Sequence, residues 1–144
     1  MQRWTSQALP VPPGSSWNRA DLEFEGLEHD GATFVVHVFL NNAEAGASTP
    51  RTADERYAGY LTVFAHGDCW GDVGHCELPT TKGPFDHRRP HQLTPFNATL
   101  EVTDTLRTLP EGTSEITVTA LAFNGADEKA DVLRFDQLTL LTYA

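Results

Sequence analysis

Both cysteines of the chain fall in one stretch, HGDCWGDVGHCELP, residues 66–79, together with His66, His75 and Trp70. Cys69 and Cys76 are separated by six residues that include Gly71 and Gly74, so the backbone can turn and bring the two sulfurs together. Thiolates and imidazoles suit Cu(I) or Zn(II), and His66, His75, His87 and His91 are the candidates to complete such a site. The spacing serves a disulfide or inert thiols as well. It contains no C-x-x-C, and His75, adjacent to Cys76, need not point at the same ion. A third chemistry uses His66, His87 and His91 with Asp68 or Glu77, leaving a coordination position open for water, as a small metalloenzyme would.

Other reactive patterns are weaker. In DHRRPH, His87 and His91 stand four apart, but Pro90 between them opposes the helix that would align them. A surface turn, with Arg88 and Arg89 bonding acidic neighbours, is the simpler reading. The chain has no G-x-S-x-G, no phosphate-binding glycine loop and no H-E-x-x-H, and lacks the closely spaced strand histidines of a cupin-like site. Its many carboxylates read as an acidic surface rather than as a glycosidase pair. Asn97-Ala98-Thr99 is a glycosylation sequon only in a secreted protein, and otherwise an ordinary strand entry.

The elements that must carry this loop are strands. DLEFEGLEH, TFVVHVFLN, YAGYLTVFAH, FNATLEVT, SEITVTALAFN and VLRFDQLTLLTY are rich in Val, Thr, Phe, Tyr and Leu and are separated by turn residues. Only TDTLRTL reads as helix, a turn capped by Thr103 or Asp104. The expected fold is all-β: an antiparallel sandwich of about six to eight strands over residues 21–144, with one long functional loop and an irregular arm at residues 1–20. In TFVVHVFLN both alternating faces are apolar, which places the strand mid-sheet or under a covering loop. His37 there is expected to be packed or hydrogen-bonded rather than a ligand. His66 instead ends a strand, where loop chemistry is presented on a rigid base.

Between residues 66 and 94 the ordering residues Cys69, Trp70, His75, Cys76, Phe85, His87 and His91 argue against disorder and for function. A net charge of −10, from 20 acidic and 10 basic side chains, argues against a nucleic-acid partner. No apolar run follows Arg3, so neither a leader nor a membrane helix is expected, and a cytoplasmic location, or export only with a partner, follows. In a reducing compartment the cysteines are more readily thiols or ligands than a structural disulfide.

The series FVVHVFLNN, then TPRTADERYAGYLTVFAHGDCWGDVGHCELP, DHRRPHQLTPFNATLEVTDTLRTL, ITVTALA and LRFDQLTLLTY resembles the β-sandwich domain found C-terminal to the di-copper domain in bacterial tyrosinase-like proteins, over about residues 20–144. The most specific pieces are YAG running into H-G-x-C, G-H-C before a proline, and R-P-H-x-L-T-P. The histidine-rich bundle that holds two coppers is absent: the chain has six histidines, none in a helical H-x-x-x-H setting. The resemblance therefore implies a non-catalytic accessory of a tyrosinase-like copper oxidase, caddie-like or lid-like, with that di-copper protein as partner and copper as possible cargo. Cys69 and Cys76, with His66 or His75, would then hold Cu(I) and pass it on, while Trp70 and Phe85 would plug the partner's pocket or anchor the interface. Trp70 packed over the sandwich end is the structural alternative, and a ligand-binding module with a disulfide-locked loop is the functional one.

Overall fold

The alternating apolar segments form strands in the computed structural model, which describes residues 1–65, 72–74, 77, 83–85, 87, 93–125 and 131–144. In chain order these are β1 (Gln2–Thr5), β2 (Leu9–Pro10), β3 (Arg19–Leu27), β4 (Phe34–Leu40), β5 (Tyr57–Val63), β6 (Phe96–Glu101), α1 (Thr103–Arg107), β7 (Glu115–Ile116), β8 (Val118–Asn124) and β9 (Gln137–Tyr143). All pairings among the described residues are antiparallel. One sheet runs β1-β8-β4-β5, a second β6-β3-β9, and β2 pairs with β7 in a short ribbon. The result is the all-β sandwich that the strand pattern predicts. No helix among the described residues is long and apolar enough to cross a membrane.

Alternation decides which side chains meet between the sheets. Ala20, Leu22 and Phe24 of β3 share a core with Phe34, Val36, Val38 and Leu40 of β4 and with Val118, Ala120 and Ala122 of β8. Removing each large side chain of this set from water contributes about 2 kcal/mol. The second apolar face of β4 is also used. Phe39 is sealed with Leu121 by Ala45, from the connection between β4 and β5, and Tyr57 packs on the same group. A strand apolar on both faces is thus placed centrally, between β8 and β5, and half roofed on its outside.

The start of the chain departs from expectation. Residues 1–20 read as an irregular arm, yet β1 pairs with β8 from Gln2↔Ala122 to Thr5↔Thr119. Its sequence, QRWT, has no strand signature; tertiary contacts hold it there. The Gln2 amide accepts from the Leu133 N–H at 2.8 Å and donates to the Leu133 carbonyl at 3.3 Å, and the Trp4 ring meets Phe135 edge-on at 4.9 Å. Phe135 also meets Phe24 edge-on at 5.2 Å, so VLRF, read as the start of a strand, is instead a packed connection before β9. The short helix forms as predicted, but Thr103 does not cap it. Its hydroxyl accepts from the Ala20 N–H at 3.0 Å, tying α1 to β3.

Near its end β3 changes register between Phe24 and Leu27, and Gly26 sits in this irregularity with φ of 65°. A Cβ at Gly26 would lie 2.1 Å from Asp136 Oδ2. Gly26→Ala therefore combines left-handed strain with a clash and is expected to destabilise the protein by about 2 kcal/mol or more. Calorimetric unfolding of the variant checks this; an unchanged transition would show that the bulge carries no constraint.

Candidate functional site

Three connections gather at one end of the sandwich. Phe34 pairs with both Val63 and Asn124, Leu27 with Phe96, and Glu25 with Gln137. The β3–β4 turn, the long β5–β6 connection and the β8–β9 connection therefore start and finish side by side. Their roots are bonded to one another. His29 Nε2 donates to the Thr94 carbonyl at 3.0 Å and its ring meets Phe96 edge-on at 5.1 Å. The Ala65 N–H donates to Thr33 Oγ1 at 3.2 Å, and the Arg134 guanidinium grips Glu28 and Asp30 together. The long connection thus leaves β5 and enters β6 from a cross-braced platform, the setting in which loop residues can be held for function.

Most of the residues that carry the predicted chemistry, His66, Cys69, Trp70, His75, Cys76 and His91, lie outside the described residues, as does Asp68. Gly74 takes a φ of 87° and the Glu77 N–H donates to its carbonyl at 3.3 Å. Phe85 is 86% exposed, and His87 is also exposed. Among the described residues no group of three or more His, Cys, Asp or Glu is placed to hold a metal. These residues alone do not supply a copper site: His29 is bonded to Thr94, His37 to Tyr57, and His87 faces solvent.

His37 is the packed, hydrogen-bonded histidine that the strand pattern predicts. It is 8% exposed, its Nδ1 lies 2.9 Å from the Tyr57 hydroxyl, and the rings of Tyr57, Tyr60 and Phe123 surround it at 5.7–6.0 Å. Burial, and then the charge of Arg51, push its imidazole below the ordinary histidine range. Burial also raises the Tyr57 phenol. This cluster continues the outer apolar face of β4; Tyr60 within it is 60% exposed, and Phe64, just after β5, is 77% exposed. The sequence reading passed over both. Their signal lay in the alternation of YAGYLTVFAH, where Tyr60, Thr62 and Phe64 stand opposite the core-facing Leu61 and Val63.

A cleft of about 580 Å³ lies at the opposite end, lined by Val11, Trp17, Leu106 and Pro110 among others. Arg107 sits 5.6 Å over the Trp17 ring and donates to the Asn18 carbonyl at 3.0 Å, so its cation is already engaged.

Fold and platform define a β-sandwich whose connections converge at one end beside an aromatic sheet face. The same fold occurs in two solved structures titled as latent aurone synthase (polyphenol oxidase), one from natural source and one recombinantly expressed. Each matches with a TM-score of 0.61 at 16% identity, over 99% of this chain and 24% of its own. This chain therefore corresponds to about a quarter of the length of those proteins, and at that identity what is shared is the fold. No protein-family model and no curated protein matches the chain.

The depressed His37 value has a thermodynamic consequence. The native state binds its proton less readily than the unfolded chain, so the contribution is full above the unfolded value of about 6.5 and is lost as pH falls through the folded one. Over that acidic window His37→Gln is expected to show a shallower loss of stability than wild type. Denaturant titrations at a series of pH values test this; parallel curves would mean that His37 does not titrate on unfolding.

Proposed function

We propose that this protein is a non-catalytic accessory domain or subunit of a tyrosinase-like di-copper oxidase, acting as a lid or caddie on that partner. One observation carries the reading: nearly the whole chain follows the fold of a minor part of a polyphenol oxidase described as latent. A part comprising 24% of such a chain is a natural candidate for what keeps the remainder latent. The sequence adds that the six histidines are too few and too scattered for the two-copper bundle of an oxidase. Recognition rather than turnover is then the task, and exposed aromatics beside a braced loop platform suit it.

Added to a tyrosinase-like di-copper domain freed of its own sandwich domain, the protein is expected to lower phenol oxidation severalfold, and to show no oxidase activity by itself. Phenol turnover by the isolated protein, or a partner whose rate it leaves unchanged, would overturn the reading.

The finer part of the proposal is copper cargo. Cys69 and Cys76, with His66 or His75, would bind Cu(I) and release it by ligand exchange to stronger imidazole sites. Ligand chemistry and the turn at Gly74 support this. An anaerobic Cu(I) titration against a competing chelator is expected to show tight stoichiometric binding that Cys69→Ser/Cys76→Ser abolishes while thermal unfolding is unchanged. Binding that survives the double substitution would remove copper delivery and leave the lid role standing.

A further inference from the structure

The two outward faces of the sandwich differ in charge. The strands of the three-stranded sheet carry Glu23, Glu25 and Glu101 on their outward side, while Asp21 is buried and paired with Arg19 at 2.8 Å. The strands of the four-stranded sheet, QRWT, VTALAFN, FVVHVFL and YAGYLTV, contain no carboxylate at all. In a chain with 20 acidic residues this is a sharp partition, and the acid-free sheet is the one whose outer surface is aromatic. Exposed faces that need only solubility carry charge, whereas the centres of protein interfaces are depleted of it and enriched in Tyr, Phe and Arg.

Half of this face is closed by the β4–β5 connection, which buries Phe39 and Leu121. The other half is open. Register places Tyr60 beside His37 and Thr62 beside Val35, which in turn adjoins Phe123. Phe64, next after the strand, continues the alternation at the edge of the sheet. Two exposed aromatics on the same outward side of an edge strand, Tyr60 and Phe64 on either side of Thr62, are a liability in a protein that has nothing to bind there. A basic group accompanies the patch: Arg51 lies close enough to His37 and Tyr57 for its charge to act on both, whereas Arg3, on the opposite edge strand, donates to the Ala45 carbonyl in the roofed half.

We infer that the open half of this face, centred on Tyr60 and Phe64 and flanked by Arg51, is a docking surface for a protein partner that presents an apolar patch edged by carboxylates. Resting on the function proposed above, that partner is the di-copper oxidase domain. The acidic face on the other sheet is left to solvent, where its repulsion disfavours docking of the wrong side against a carboxylate-edged surface.

The test is calorimetric titration of the full-length protein into a tyrosinase-like di-copper domain lacking its own sandwich domain. Tyr60→Ser/Phe64→Ser is expected to weaken binding about tenfold or more, as loss of central aromatics does. Arg51→Glu is expected to weaken it while Arg51→Lys retains it, and Glu23→Gln on the opposite face should stay within about twofold of wild type. All substituted side chains are polar or exposed, and thermal unfolding verifies that each variant folds. Wild-type binding that the double variant leaves intact overturns the docking face and spares the proposed function. Absence of wild-type binding overturns the function on which it rests, and a self-association removed by the same substitutions would place a second copy on the face instead.

Discussion

A strand that is apolar on both faces cannot lie against water, and β4 is such a strand. Its inner residues, Phe34, Val36, Val38 and Leu40, require the second sheet; its outer ones, Val35, His37 and Phe39, require a different cover. The fold meets the first demand with β3 and the second only in part, through Ala45 and Tyr57 over Phe39. What remains uncovered is the side toward β5, with Tyr60 and Phe64 at its rim. The aromatic face is therefore a consequence of the same strand that anchors the core. One packing constraint thus accounts both for the buried inner face of β4 and for the exposed aromatics beside its outer one.

The bracing of the loop-bearing end follows from a different kind of interaction. Arg134 is the cation between Glu28 and Asp30, and a guanidinium can serve two carboxylates at once because its donors are fixed in a plane. All three groups are roughly half exposed, so the pairs add little stability; their value is geometric. They hold the β3–β4 turn against the connection into β9, while His29 and Thr33 hold the entry and exit of the β5–β6 connection. The long loop is anchored at both roots by bonds outside the hydrophobic core.

Strand identity was legible because period-two patterning leaves a mark in every core strand; the segments read as strands contain β4 to β9 and β3 from Asp21 onward, its first two residues having been read as part of the arm. The packed role of His37 was legible for the same reason, from its place in a doubly apolar strand. The errors occurred where tertiary contacts, rather than pattern, decide. QRWT becomes a strand through the Gln2 amide bonded to Leu133 and the Trp4 ring on Phe135, partners more than a hundred residues away. Thr103 looked like a cap because local spacing favours one, yet the Ala20 N–H was the more demanding partner. The aromatic patch was passed over because alternation marks Tyr60 and Phe64 as outward without saying whether anything covers them.

The fold match illustrates how little of a sandwich's sequence is needed to maintain it. At 16% identity the alignment still spans 99% of the chain, since alternating apolar positions and a few obligatory turns suffice to specify two packed sheets. Function is not conserved by the same economy, because sandwiches host unrelated activities and the site must be argued locally. Here two features touch in sequence. Phe64 closes the alternation of β5, and the histidine and cysteine stretch begins two residues later. A partner seated on Tyr60 and Phe64 would therefore have the root of that stretch at the margin of its contact.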